Sequence, residues 1–395
     1  MTLPATGESL DPAVAPPTTR RAPDSLRRTV ESMLALADIQ VDGDRPWDLR
    51  VHHPDLYRRV LAQGSLGLGE SYMDGWWDCD ALDEWSFKIF HSRLDQQARP
   101  NLGTLWAVLR SRVLNLQNLR RAKPAGALPY HFGDDLFAAM LDPRMTYSCG
   151  YWAEADDLAT AQEAKLELVC RKIGLEPGQR VLDIGCGWGS FAIWAAERHG
   201  AEVVGVTVST DQAAIAREQS ADLPVEIRLQ DYREIPEDET FDHIVSIGMF
   251  EHVGFKNYRH FFEHARKHLR DDGLMLLHTI GRNHSVTTLD PWVDKYVFPN
   301  CMLPSARQIA GALEGVFVTE DWHNFSADYD RTLMAWWDNF DQAWPDLEAT
   351  YGERFYRMWR FYLQGCAGRF RARRNQLWQL VLSKHGVLGG YRSPR

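Results

Sequence analysis

The sequence predicts an α/β fold: a doubly wound, mostly parallel sheet preceded by a smaller, mainly helical domain. Three observations carry that prediction. From Arg180 onward, short apolar runs of strand length alternate with runs of helix length. The first of these strands ends in the glycine turn Gly185-Cys186-Gly187-Trp188-Gly189, which opens directly into a helix. Upstream, the segment 122–129 carries two prolines and a glycine, the composition of a boundary. The divisions expected are a tail over 1–24, an N-terminal domain over 25–121, a linker over 122–129 and a main domain over 130–395.

The tail is rich in Pro, Thr and Ala, includes Pro16-Pro17, and reads as disordered. A helix is expected over 26–37, with Val30, Met33, Leu34 and Ala37 on one face, and another over 54–63. The stretch 64–70 is dense in glycine and reads as a turn leading into Ser71-Tyr72-Met73-Asp74-Gly75-Trp76-Trp77. A further helix is expected over 102–121. In the main domain, strands are expected over 180–184, 202–208, 225–229, 243–247 and 274–278, with helices over 190–199, 211–220 and 258–269. The run 356–374 interleaves aromatics with arginines and reads as a packed helix with a solvated basic face, or one that touches lipid headgroups. Trp76, Trp77, Trp336, Trp337 and Trp359 read as packing residues.

A chain of 395 residues with 45% hydrophobic residues and 15 tryptophans can bury a substantial core. Its formal net charge of -10, from 44 basic and 54 acidic side chains, argues against a nucleic-acid-binding surface. Local basic clusters facing lipid remain compatible with it, at Arg120, Arg121 and Lys123 and at Arg369, Arg371, Arg373 and Arg374. The 6 cysteines stand singly with no CxxC pair, which speaks against a zinc site or disulfide framework and for reduced thiols in the cytoplasm. The N-terminus lacks an apolar signal core, and no apolar run reaches the roughly 20 residues of a membrane span. Contact with lipid is therefore expected to be peripheral and from the cytosol.

Ligands of doubly wound sheets bind beyond the carboxyl ends of the strands. The glycines of the first turn let the backbone approach a ligand where a Cβ would collide. A dinucleotide loop would place its third glycine at Ser190. The tighter GxGxG spacing, with Asp183 ahead of it, favours S-adenosylmethionine over a nicotinamide. Asp183, Gly185, Gly187 and Gly189 are expected at the cofactor, a tight turn without a ligand being the alternative. The second strand ends in Gly205-Val206-Thr207-Val208-Ser209 with no carboxylate for a ribose, so Thr207 and Gln212 are expected to hydrogen-bond the cofactor instead. After the third strand, Gln230 and Asp231 offer an amide and a carboxylate to an adenine edge, and Tyr232 a ring to cover it. The same residues would serve equally to cap a loop.

Several motifs together resemble the cyclopropane fatty acyl phospholipid synthases. They are Met145-Thr146-Tyr147-Ser148-Cys149-Gly150-Tyr151-Trp152, the glycine turn, Gly248-Met249-Phe250-Glu251-His252-Val253-Gly254 and Leu277-His278-Thr279-Ile280-Gly281. Asp290-Pro291-Trp292, Phe298-Pro299-Asn300 and Glu320-Asp321-Trp322-His323-Asn324-Phe325 belong with them. The likeness covers nearly everything from Ser25 onward and is nearest the long, two-domain bacterial type, whereas mycolic acid cyclopropane synthases resemble it only in the catalytic part. It implies a Rossmann-like methyltransferase domain using S-adenosylmethionine, an N-terminal domain that engages lipid, a membrane phospholipid as substrate, and a homodimer. It also implies a bicarbonate ion held by Cys149, Glu251, His278, the backbone of Ile280, and Tyr329. Tyr147 and Ser148 of the first motif fall at the cofactor. Gly150 departs from the family pattern, where alanine is common.

The implied reaction adds a methylene group across a cis double bond, through a carbocation that bound bicarbonate deprotonates. A double bond is a poor nucleophile, so it must be held against the methyl donor, and orientation supplies much of the barrier reduction. The cation then needs a dry pocket walled by aromatic faces, for which Tyr147, Tyr151, Phe250, Trp292 and Tyr329 are candidates. Taken singly, these residues have plainer readings. Cys149 alone is a small buried hydrophobe, His278 a satisfied core histidine, and one of Glu251 and His252 a loop anchor. Rival functions are a lipid C-methyltransferase that reduces the cation to a methyl branch, a small-molecule O- or N-methyltransferase, and a lipid-binding module without catalysis.

Overall fold

A computed structural model describes residues 24–97 and 132–395. The tail over 1–23, the helix over 102–121, the linker over 122–129 and the cluster Arg120, Arg121 and Lys123 lie outside the described residues.

The N-terminal part runs α1 (Asp24–Ala35), β1 (Arg50–Val51), α2 (Leu56–Gln63), α3 (Ser65–Met73), β2 (Trp77–Asp78), α4 (Leu82–His91) and α5 (Leu94–Gln97). Helix α1 buries Val30 and Leu34, from the face that its apolar spacing marks out. The glycine-dense stretch is a correction. Only Gly64 turns, at φ 61°, and the chain continues as α3. Gly69 lies where a Cβ would overlap the ring of Trp292, so this glycine serves close packing inside a helix.

The main part begins with α6 (Asp134–Met140) and α7 (Leu158–Ile173), then β3 (Arg180–Ile184), α8 (Ser190–His199), β4 (Glu202–Thr207), α9 (Thr210–Gln219) and β5 (Val225–Leu229). It continues through β6 (Phe241–Ile247), α10 (Tyr258–His268), β7 (Leu269–Arg282), α11 (Pro291–Tyr296), α12 (Ala306–Leu313) and β8 (Val318–Asn324). The long helices α13 (Ala327–Tyr351) and α14 (Glu353–Arg371) precede the last strand, β9 (Asn375–Ser383). The 7-stranded sheet has the order β5-β4-β3-β6-β7-β9-β8. Its first five strands are parallel, as the alternation predicts, and β9 enters antiparallel between β7 and β8. Strands β8 and β9 have no counterpart among the elements expected from sequence. Every residue of β9 is buried, including Asn375, Gln376 and Gln379, and those amides interrupt the apolar run by which a buried strand is recognised.

Helix α14 joins the two parts. Gly368 lets its backbone meet α4 so closely that a Cβ would overlap the carbonyl oxygen of Asp83. The Ser86 hydroxyl donates to the Gly365 carbonyl at 2.6 Å. Arg357 donates to the carbonyls of Tyr72 and Trp77 and to Asp78 Oδ1. The basic face expected to be solvated is therefore mostly an interface. Arg371 pairs with Asp83, Glu84 and Asp330, and Arg374 with Asp95, because acids of α4, α5 and α13 lie across from them. Trp77, Trp336, Trp337 and Trp359 are buried as packing residues, while Trp76 stacks on His53 at 4.2 Å.

Candidate active site

The carboxyl ends of β3, β4, β5 and β6 open on a cavity of about 190 Å³. Gly185 and Gly187 line it at φ 84° and 56°, and a Cβ at Gly187 would project into open space. Gly189 does not line it: at φ 88° it caps α8 and closes on Ala216. Asp183 lies beneath the turn, where burial pushes its carboxyl up to about 7 against the pull of Lys165. Lys165, also buried and brought down to about 8 chiefly by burial, donates to the Ser148 hydroxyl at 2.8 Å.

Thr207 and Gln212 line the cavity and hydrogen-bond each other at 3.2 Å. Gln230 presents a buried amide nitrogen with no partner among the described residues, a donor suited to a nucleoside acceptor. Asp231 also lines the cavity, but its side chain is engaged locally. Both its oxygens bond Arg233, at 2.8 and 2.7 Å, and it caps the short 3-10 turn 232–234. The ring of Tyr232 reaches the cavity wall but packs edge-on against Phe261 and His264. Sequence reasoning missed Met249, whose side chain lies against Gly185, and Trp188, which lines the same cavity and donates to Asp134 at 3.2 Å.

A second cavity, about 110 Å³, shares Tyr147, Ser148, Gly248 and His252 with the first, so the two meet at the end of β6. Its walls carry Leu303, Leu333, Leu377 and Val293, together with Glu251, His278, Ile280 and Tyr329. The pairing of β6 with β7 brings the last groups together: Ile247 sits beside His278, and the Gly248 N–H donates to the His278 carbonyl at 2.9 Å. Glu251 follows in the 3-10 turn 250–252. Its Oε1 accepts from the Ile280 N–H at 2.6 Å, while Oε2 is buried with no partner among the described residues. Burial lifts this carboxyl from 4.5 to about 7.

His278 takes a hydrogen bond on Nδ1 from the Gln379 amide at 3.2 Å, across the β7–β9 pairing. That donor leaves the imidazole proton on Nε2, which is buried and has no partner among the described residues. Burial drives the pKa of this histidine well below its ordinary value, so the ring is a neutral N–H donor. His252 is the loop anchor of the pair, with Nδ1 sharing a hydrogen bond with the Cys301 thiol at 3.1 Å.

Two of the expected anion-holding groups are otherwise engaged. Cys149 does not line the cavity; its thiol points at the Gly150 carbonyl and the Thr332 hydroxyl. The Ile280 N–H is spent on Glu251. What remains is the His278 Nε2 donor and the Glu251 Oε2 acceptor, with the Tyr329 phenol, a further donor, on the same largely apolar stretch of wall. A small ion with both acceptor oxygens and a hydroxyl fits that pair. Of the aromatic candidates, Tyr147 and Tyr329 line the cavity, while Phe250 stacks on Tyr258, Trp292 packs on Phe361 and Tyr151 on Phe325. Phe298, from the Phe298-Pro299-Asn300 motif, and Tyr362 and Phe370, from the aromatic run 356–374, complete the ring wall, a role for which sequence reasoning did not single them out.

The family model of mycolic acid cyclopropane synthetases matches residues 117–380. The chain is 50% identical over 372 residues to the cyclopropane-fatty-acyl-phospholipid synthase of Escherichia coli strain K12, covering 94% of this chain and 97% of that protein. Among solved structures, the cyclopropane synthase MmaA2 of Mycobacterium tuberculosis aligns at a TM-score of 0.63 and 31% identity, over 66% of this chain and 98% of that one. Mycolic acid cyclopropane synthase CmaA1, solved with SAH and CTAB, aligns at 0.62 and 32% identity, with coverage of 66% and 98%.

Proposed function

The chain belongs to the mycolic acid cyclopropane synthetase family, and from that premise we propose that it is a cyclopropane-fatty-acyl-phospholipid synthase acting on the cis double bond of a membrane phospholipid. It is an S-adenosylmethionine-dependent methyltransferase of the Rossmann-like fold. Bound in the two adjoining cavities, S-adenosylmethionine supplies the methyl group and bicarbonate the base that takes a proton from it after transfer.

The chain's own residues arrange the rest. The glycine turn, Gln230 and Gln212 hold the nucleoside end in the first cavity. Tyr147, Ser148 and Gly248 form the junction where a methyl group and a double bond meet. The leucines keep water away from the cation, and the faces of Tyr147, Tyr329 and Phe298 are available to it. Glu251 Oε2 and His278 Nε2 grip the small ion, and Gln379 fixes the histidine tautomer that gives it a donor. A neutral imidazole serves better than a charged one here, because it adds no positive charge beside the cation.

The observation that carries this reading is the pair of buried polar atoms on Glu251 and His278, without partners among the described residues, in the mostly apolar cavity adjoining the glycine turn. The test is incubation with methyl-labelled S-adenosylmethionine and unsaturated phospholipid vesicles, followed by mass spectrometry of the lipid. A ring product is expected; a saturated methyl branch, heavier by a pair of hydrogens, would reassign the enzyme to the reducing alternative. The enzyme is further inferred to work peripherally at the membrane as a homodimer, with α1–α5 engaging lipid. This is supported by the family resemblance and by the absence, among the described residues, of any helix long and apolar enough to cross a membrane. Vesicle flotation and light scattering test both points.

A further inference from the structure

The acyl cavity has an end that methyl transfer leaves unused. Alternate residues of β7 face it, namely His278, Ile280 and Arg282, which sets Arg282 about 13 Å along the strand from the reacting groups. Asn375, opposite Arg282 on β9, lines the same end. Helix α14 adds Arg369, whose Nε is buried without a partner among the described residues and whose guanidinium lies 4.5 Å over the Phe90 ring of α4. Among the described residues, neither Arg282 nor Arg369 forms an ion pair, although Arg371 on the same helix is paired with acids. Asp290, the acid at this end, has Oδ1 committed to capping α11 through the N–H groups of Trp292 and Val293.

A guanidinium drawn away from water without a counter-ion is costly, and it persists where an anion offsets the loss. Burial brings Arg282 down to about 10; the charges of Arg369 and Arg374 push in the same direction and those of Asp290 and Asp95 against it, but Asp95 is already paired with Arg374, which leaves two guanidiniums to one carboxylate. The site is thus short of negative charge, at the far end of a tube whose other end handles a double bond. We propose that Arg282 and Arg369 bind the phosphate of the phospholipid substrate, holding the headgroup at one end of the cavity while the acyl chain runs to Glu251 and His278. Planar guanidinium donors suit phosphate oxygens and give bidentate, charge-assisted hydrogen bonds. The inference rests on the synthase reading and extends it from the acyl chain to the phosphodiester.

The experiment compares two lipids with the same unsaturated acyl chains in mixed micelles: a phosphatidylglycerol, and the diacylglycerol that lacks the phosphate. The full-length wild type is expected to favour the phospholipid by roughly ten- to hundredfold in kcat/KM, the worth of one or two hydrogen bonds to a charged group. Arg282→Gln and Arg369→Gln should each shrink that ratio at least tenfold, through KM for the phospholipid more than through kcat, and Arg282→Lys should keep part of it. Calorimetry with S-adenosylmethionine checks that each variant is folded. The wild-type preference needs no variant, so the proposal stays testable if one misfolds. Equal use of the two lipids by wild type overturns it. Equal loss on both lipids in the variants overturns it too, by making the arginines structural. Competition by inorganic phosphate without lipid preference would assign the site to free phosphate and overturn the headgroup assignment. Absence of cyclopropane from both lipids would sink the synthase reading instead.

Discussion

Glu251 concentrates the chemistry of this site in one side chain. One oxygen ties the 3-10 turn after β6 to the Ile280 N–H, and the other is left for a guest. Glu251→Gln preserves the shape and removes the charge and the second acceptor. Turnover should fall by roughly 10²–10³, the usual effect of removing one preorganised polar group. Affinity for S-adenosylmethionine, measured by calorimetry, should stay close to wild type, because Glu251 faces the second cavity. A parallel loss of both would take this residue out of the anion site. The same carboxyl makes stability depend on pH. Its folded-state pKa, about 7 against an ordinary 4.5, means that the folded protein keeps a proton that the unfolded chain releases. The resulting stabilisation is complete below the unfolded value and is lost as pH rises through about 7. A neutral amide in its place has no such proton to lose, so Tm of Glu251→Gln relative to wild type should climb between about pH 5 and about pH 8 in bicarbonate-free buffer. A constant difference in scanning fluorimetry would contradict it. Asp183, also lifted to about 7, is present in both proteins and cancels.

Among the elements, α14 makes the sharpest claim, because its backbone touches α4 at Gly368. Gly368→Ala forces two main chains apart, and neither the Asp83 carbonyl nor the Phe87 N–H can swing aside as a flexible side chain would. Overpacking of this kind costs about 1–3 kcal/mol, to be read as a lower midpoint in urea with an unchanged slope. A midpoint equal to wild type would mean that the two helices part easily. Such contacts also mark the limit of what the sequence discloses. Strands β3 to β7 and their helices are legible because apolar runs and glycine turns are local signals. Helix α3 is not, since its glycines serve contacts with α2 and Trp292 that lie outside the local pattern. Strand β9 is hidden because Asn375 is polar where it faces the cavity and Gln379 where it bonds His278. At the site, the glycine turn, Glu251 and His278 are readable as motifs. The turning away of Cys149 toward Thr332, and the pairing of Asp231 with Arg233, depend on side-chain directions that spacing does not encode.

At the scale of the whole molecule, the question is what residues before the main domain contribute. CmaA1 and MmaA2 match 66% of this chain over 98% of their own length, so a complete catalytic fold of this family exists without the extra part. In this chain the main domain is not finished alone. Phe361 packs into the N-terminal core with Trp77 and Trp85, Trp292 lies against Gly69, and Arg357 and Arg371 find their partners in Tyr72, Trp77, Asp78, Asp83 and Glu84. Arg369 rests on Phe90 at the far end of the acyl cavity. A chain beginning at Tyr130 would keep the glycine-turn cavity, whose lining comes wholly from residues after it, and should bind S-adenosylmethionine near the wild-type affinity. It would expose the apolar face of α14 and lose the floor beneath Arg369. Cyclopropanation of phospholipid vesicles should therefore drop at least tenfold, the low end of what loss of one charged contact produces. Full activity of the shortened chain on vesicles would show that α1–α5 neither engage lipid nor shape the cavity, and would leave the contacts across α14 with a purely structural meaning.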